Sequence, residues 1–512
     1  MKKQFAFLCF AASLCLITAC IGQANTPKPS SATQPSELSP TAQPGTQTLT
    51  PSPPTVTQTE ATPSANKFQP PTPTPEEELG ALTQYKLIAT LDYVQHHLAV
   101  EEHISYPNQS GEPISDLLLI VEPARYPGVF HLVNLTWGDE SPILEYQREI
   151  GQLLIPLEES LPPGGILNLS IDYELFLPSP DPSFYGRPVP FGYSTRQTNL
   201  VDWYPFIPPY VPGQGWLAHN AGPFGEHLVY ELAKFDIDIH LNDSISNLII
   251  AASGVAEKDG NWYHFDFDEA RNFAWSVSDQ YELSTSSVDS VTVMSYYFPI
   301  NDEAGEAVLH TTAEALRLYN ELFGPYPRQA LTVVEADFLD GMEYDGLYFL
   351  SKGFYNLYSG NPADYLTAIA AHETAHQWWY RSVGNDQALE PWLDEALCTY
   401  SERLYYENIH PQGLDWWWNY RINYYEPRGW VDGSIYNPEG YRAYRDAIYL
   451  NGAIFLEDLR DLIGEEVFFD FLITYAHKFS GEIVTADDFF ALLDTYDHAE
   501  LASLLDRYFL NR

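Results

Sequence analysis

The sequence predicts an α+β protein: a β-rich segment over residues 80–300 followed by a mainly helical one over 301–512. Leu167, Leu169, Ile171, Tyr173 and Leu175 alternate with Asn168, Ser170, Asp172 and Glu174. Phe235, Ile237, Ile239 and Leu241 alternate in the same way with Asp236, Asp238 and His240. A period of two with one apolar face marks half-buried strands, and it puts Asp236, Asp238 and His240 on the solvent face, not around a metal. The texture changes between Ile300 and Glu306, after which Ala307–Phe323 has helical periodicity.

The chain begins with Lys2 and Lys3, a short apolar run from Phe5 to Ile17, and then Thr18-Ala19-Cys20. That pattern predicts a signal peptide over 1–19, too short to span a membrane. Ile17-Thr18-Ala19-Cys20 resembles the bacterial lipobox, which implies lipidation of Cys20 and a membrane anchor outside the cytoplasm; the alternative is an ordinary secretory signal with an incidental cysteine. Residues 20–79 are dominated by Pro, Thr, Ser, Ala and Gln, which predicts a disordered, extended stalk.

Without residues 1–19, Cys20 and Cys398 are the two cysteines left. A lipidated Cys20 excludes an intramolecular disulfide. Cys398 reads as a small buried apolar residue. The formal net charge is −45, and removing Lys2 and Lys3 makes it −47. Nucleic acid is thereby excluded as a partner. An acidic surface suits cationic peptide amino termini, and equally suits solubility. No feature specifies an oligomeric state.

In the second segment, Ala330–Ala336 reads as a short apolar strand. Helices are predicted over 363–380, Leu393–Tyr406, Ala447–Leu462 and Glu466–Phe479, with two short helices closing the chain. Within 363–380 lies His372-Glu373-Thr374-Ala375-His376. Two histidines four apart on a helix project from one face about 6 Å apart along the axis, close enough to share one metal ion. Glu395, separated from His376 by eighteen intervening residues, supplies a third ligand and leaves the fourth position of a tetrahedral Zn2+ for water. An ion there acidifies its water, and Glu373 is the natural base.

These residues, His372-Glu373-Thr374-Ala375-His376-Gln377-Trp378 followed by Trp392-Leu393-Asp394-Glu395-Ala396, resemble the gluzincin aminopeptidases of the membrane alanyl aminopeptidase family. The resemblance covers about residues 84–510. It implies an antiparallel β saddle-like domain over 80–300 and a thermolysin-like zinc peptidase domain over 301–512. His372, His376 and Glu395 become ligands of one zinc ion, and Glu373 the general base. Gly341-Met342-Glu343 stands where the family has Gly-x-Met-Glu-Asn, which implies that Gly341 and Met342 line the substrate and that Glu343 binds its free α-amine. Asp340 and Tyr344 depart from that motif. Tyr449-Leu450-Asn451-Gly452 matches the Tyr-x-x-Gly that supplies a transition-state phenol, with Tyr441 and Tyr444 as nearby rivals.

Larger relatives carry a further helical domain over the active site, which implies a more open cleft here. Trp416-Trp417-Trp418 serves either a cleft wall or the core. The expected activity is removal of N-terminal residues from peptides outside the cytoplasm. The alternatives are a zinc endopeptidase and a surface binding protein without turnover.

Overall fold

In the computed structural model the described residues are 82–179, 189–242, 247–496, 498 and 500–511. The predicted leader over 1–19, Cys20 and the stalk over 20–79 lie outside them.

The strands expected from alternation form one seven-stranded sheet, in the spatial order 257–259, 262–270, 233–241, 83–92, 97–107, 166–176 and 130–137. All its pairs are antiparallel except 83–92 with 233–241, which runs parallel. One face is buried: Tyr85, Leu87, Ala89 and Leu91 point into the core beside Phe235, Ile237, Ile239 and Leu241. On the other face Asp236 pairs with Lys86 at 3.5 Å, Asp238 meets His264 at 3.0 Å, and His240 stacks on Trp262. A three-stranded sheet of 114–120, 152–161 and 147–149, a four-stranded one of 249–252, 275–278, 198–200 and 192–193, and the short pair 210–211 and 215–216 complete the described β-rich part.

The change of texture near residue 300 is not where the second part begins. Glu282–Val288 and Val291–Tyr297 join Ala330–Ala336, Leu347–Ser351 and Gly341–Tyr344 in a five-stranded sheet, so this part starts at Glu282. Its strands Val291–Tyr297, Ala330–Ala336 and Leu347–Ser351 are covered on both faces, which is why no single apolar face marks them as belonging to either half. Val293, Tyr297, Leu331, Val333, Tyr348 and Leu350 face the helical core. Met294, Tyr296, Val334, Leu347 and Phe349 face the β-side core.

Helices Asp302–Phe323, Tyr365–Ala375, Trp392–Asn408, Gly452–Ile463 and Glu465–Lys478 pack on the first of these faces, with Ala486–Leu493 and Leu501–Tyr508 at the end of the chain. Arg271 ties the two cores together. Its guanidinium donates to the carbonyls of Arg381 at 2.9 Å, Tyr230 at 2.8 Å and Glu482 at 2.8 Å. A cation so deeply buried is tolerable only when its donors are satisfied in this way. Gly384 makes the room, since a Cβ there would lie 2.6 Å from the guanidinium carbon. No helix among the described residues is long and apolar enough to cross a membrane.

Candidate active site

The histidine helix starts at Tyr365, where the Asp364 side chain caps it by accepting from the Thr367 N–H at 3.0 Å. All of Leu366–Ala375 is buried. The helix ends at Ala375, not at residue 380 as the spacing predicts. His376 holds the last helical turn, with its N–H 3.3 Å from the His372 carbonyl, and the chain then folds back through Tyr380 at φ 145°. Packing and hydrogen bonding explain the early stop. Trp378 donates its indole N–H to Gly324 at 2.9 Å, and the return of the chain brings the Trp379 carbonyl 3.1 Å from His376 Nδ1.

Glu395 lies in the first turn of Trp392–Asn408, with its N–H bonded to the Pro391 carbonyl at 3.0 Å. Its Oε2 is 3.2 Å from His372 Nε2 and 3.7 Å from His376 Nε2. The three ligand atoms all lie within 4.8 Å of one another. Two atoms bound at about 2.0–2.1 Å to one tetrahedral zinc lie about 3.3 Å apart, so this spacing fits a single ion.

The Nδ1 atoms are fixed as well. His372 Nδ1 contacts Glu402 Oε1 at 3.0 Å, and His376 Nδ1 contacts the Trp379 carbonyl. Both partners are acceptors, so each Nδ1 carries the hydrogen and each Nε2 offers its lone pair to the ion. Glu402 itself is held by Arg421 at 2.7 and 2.9 Å and by the Trp417 indole at 2.8 Å. Burial alone pushes the Glu402 carboxyl up, but Arg421 and its hydrogen bonds outweigh burial and hold it below the usual carboxylate range.

The surroundings are short of positive charge. Burial and mutual repulsion push Glu373 and Asp394 well above the carboxylate range and Glu395 up to about 7. Burial opposes a charge on His372, yet its hydrogen bonds to Glu395 and Glu402 raise it to about 10, while burial and the His372 charge lower His376 to about 3.

Glu373 and Glu343 face the same cavity of about 580 Å3, together with His372, His376, Glu395, Tyr449, Gly341 and Met342. Glu373 Oε2 is buried with no hydrogen-bond partner. An orphaned buried oxygen is costly, and here it marks where a water or substrate proton belongs. Gly341 is glycine for a steric reason, because a Cβ would overlap Glu373 Oε1. Met342 also belongs to the β-side core. Glu343, Glu373 and His376 have ligand-type atoms within 4.8 Å of one another.

Of the three candidate tyrosines, Tyr449 touches the metal ligands. Its hydroxyl donates to Glu395 Oε1 at 2.6 Å and its ring stacks on His372 at 6.1 Å. It sits in a π-helical turn, Asp446–Asn451, and burial followed by Glu395 pushes its phenol well above the ordinary value, so it stays a donor.

Cys398 is fully buried, with burial raising its thiol. Trp417 packs in the core and supports Glu402, and none of the three tryptophans lines the cavity. Sequence reasoning missed Glu402, Arg421, Gln387 and Glu226. Glu226 lines the cavity from the β-rich half, and its charge acts on His376, Glu395 and Tyr449. Glu402 had a readable signal, since it lies seven residues after Glu395 on one helix and so on the same face.

Residues 307–508 match the peptidase family M1 domain. Endoplasmic reticulum aminopeptidase 1 of Mus musculus is 27% identical over 285 residues, covering 50% of this chain and 30% of the relative. Aminopeptidase N of Oryctolagus cuniculus is 25% identical over 304 residues, covering 53% and 30%. The chain thus spans about 30% of the length of these relatives. An M1 zinc metallopeptidase from Deinococcus radiodurans superposes with a TM-score of 0.60 at 19% identity, covering 83% of this chain and 93% of that one. A two-domain M1 zinc metallopeptidase mutant bound to L-arginine gives 0.61 at 20% identity with the same coverage. At these identities the likeness establishes the fold: a β-rich domain followed by a mainly helical one.

Proposed function

We propose that this chain is a zinc-dependent aminopeptidase that removes N-terminal residues from peptides outside the cytoplasm. The observation that carries the reading is the closeness of Glu343 to Glu373 and His376, within 4.8 Å. In a peptide, the α-amine nitrogen and the carbonyl carbon of the same residue are about 2.5 Å apart. An amine held by Glu343 therefore leaves room for one residue before the carbonyl under attack, which favours an exopeptidase over an endopeptidase. Glu226 adds a second carboxylate for that amine from the other wall.

His372, His376 and Glu395 would hold the zinc. When bound, it supplies a positive charge that acidifies water and polarises the scissile carbonyl. Glu373 takes the proton from the attacking water on its orphaned oxygen. Burial makes that carboxylate a stronger base, so it keeps the proton until the leaving nitrogen accepts it. Tyr449 donates its hydroxyl to the carbonyl oxygen as negative charge grows there.

The test compares a free-amine peptide with its N-acetylated twin. Preference for the free amine supports the reading, and equal or faster cleavage of the acetylated peptide refutes it. Anchoring through lipidated Cys20 rests on the Ile17–Cys20 sequence. Cys20→Ala should move the protein from the membrane fraction to the soluble one, and an unchanged distribution would refute the anchor.

A further inference from the structure

A buried side chain outside the recognised motifs connects the amine anchor to the metal ligands. Gln387 lies in the turn between Gly384–Asn385 and the helix Trp392–Asn408. Its amide nitrogen is 3.0 Å from Glu343 Oε1 and 2.8 Å from Asp394 Oδ2. With its NH2 end toward these two carboxyl oxygens, the amide gives one hydrogen to each. Asp394 Oδ1 accepts the Glu395 N–H at 2.9 Å. An unbroken line of hydrogen bonds thus runs from Glu343 through Gln387 and Asp394 to the backbone of the third metal ligand.

The turn that presents Gln387 is itself pinned. Asp386 Oδ1 accepts the N–H groups of Ala388 and Leu389, each at 3.1 Å, and the Asp386 carbonyl accepts from Glu390 at 2.8 Å. Asp386 Oδ2 meets His219 Nε2 from the β-rich half at 2.8 Å. Gln387 therefore reaches the two carboxylates from a fixed base.

We propose that Gln387 is a positioning residue for the substrate's α-amine, aligning Glu343 by tying it to Asp394 and so to the metal-ligand helix. The proposal rests on the aminopeptidase reading. Without the shared donor, the Glu343 and Asp394 side chains would face each other across the gap, and Glu343 would no longer be held toward the amine. An anchor that is present but misaligned weakens ground-state and transition-state binding of the amine together. The loss should then appear in KM and leave kcat almost unchanged.

The experiment uses the full chain loaded with zinc, an alanyl chromogenic substrate, and free L-leucine and N-acetyl-L-leucine as inhibitors. Gln387→Leu should raise KM about tenfold, the size of a lost hydrogen bond to a charged group, with kcat within about threefold and zinc content unchanged. The inhibition constant of free L-leucine should rise in parallel, and that of the acetylated form should not. In a Glu343→Ala background, Gln387→Leu should change KM by less than about twofold, because the two residues act as one unit.

Additive losses in the double variant, a fall in kcat at constant KM, or loss of zinc from Gln387→Leu would overturn the proposal. Should Gln387→Leu fail to fold, Gln387→Asn serves in its place: one methylene shorter, it cannot span both carboxylates. Failure of both variants to fold would make Gln387 a structural residue and overturn the proposal too. Indifference of the unmodified enzyme to N-acetylation sinks the aminopeptidase reading. Free-amine preference combined with an unchanged KM in Gln387→Leu sinks only the role of Gln387.

Discussion

Replacing Glu402 with glutamine tests how the metal ligands are held, and the structure sets the size of the effect. The Glu402 carboxylate meets four donors: His372 Nδ1 at 3.0 Å, Trp417 Nε1 at 2.8 Å, and two Arg421 nitrogens at 2.7 and 2.9 Å. A glutamine has one acceptor oxygen, and its NH2 would confront a donor. Loss of the partner that orients a ligating histidine typically weakens metal affinity by about 10–100-fold, or about 1.4–2.8 kcal/mol.

The same change leaves the Arg421 charge buried without its counterion, at a further cost to folding of about 3–5 kcal/mol. Zinc affinity is measured by competition with a chromophoric chelator, and folding by thermal unfolding of the metal-free protein. Because the folded-state pKa of Glu402 is depressed, its contribution is fully present above the unfolded carboxyl pKa and is lost as pH falls through the lower folded value. The variant should therefore lose stability at neutral pH and show a flatter acid limb. Unchanged zinc affinity in a folded Glu402→Gln protein would refute the assignment of Glu402 as the group that orients His372.

Tyr449→Phe should lower kcat by about 10²–10³-fold, as for removal of one oxyanion donor, with KM and zinc content nearly unchanged in steady-state kinetics and metal analysis. Gly341→Ala should abolish most peptide hydrolysis while zinc remains bound, because the new methyl overlaps Glu373 Oε1; full activity would show that this backbone moves freely. Burial, only partly offset by the Tyr173 hydroxyl, raises the Glu102 carboxyl in the β-side core. The folded state then keeps a proton that the unfolded chain releases above about pH 4.3, so stability falls as pH rises from there toward the folded pKa. Glu102→Gln should accordingly raise Tm more at pH 8 than at pH 5, as followed by scanning calorimetry.

The parts of the site that were legible in the sequence are those encoded locally. His372 and His376 share a face because they are four apart on a helix, and Gly341, Glu343 and Glu395 sit in short segments with a recognisable order. Glu402 was missed although its place seven residues after Glu395 on one helix puts it on the same face; that spacing gives the face but not the charge partner. Arg421 and Trp417 reach Glu402 through the π-helical turn Trp417–Ile422, whose extra residue per turn no apolar period announces. Gln387 and Glu226 meet the site only through tertiary folding, across 44 residues to Glu343 in the first case and from the other half of the fold in the second. The start of the second part was misplaced because Val291–Tyr297 is buried on both faces and reads simply as more β structure. The histidine helix was drawn too long because nothing in Gln377–Tyr380 breaks a helix locally; the indole of Trp378 and the carbonyl of Trp379 break it by their tertiary bonds.

The central claim is that His372, His376 and Glu395 grip one zinc ion. X-ray absorption at the zinc edge, on protein loaded with one equivalent of metal, tests it directly. The account predicts one zinc per chain with nitrogen and oxygen ligands at about 2.0–2.1 Å, two of them imidazoles, and no sulfur. A sulfur ligand at about 2.3 Å, or zinc that fails to bind at one per chain, would contradict it.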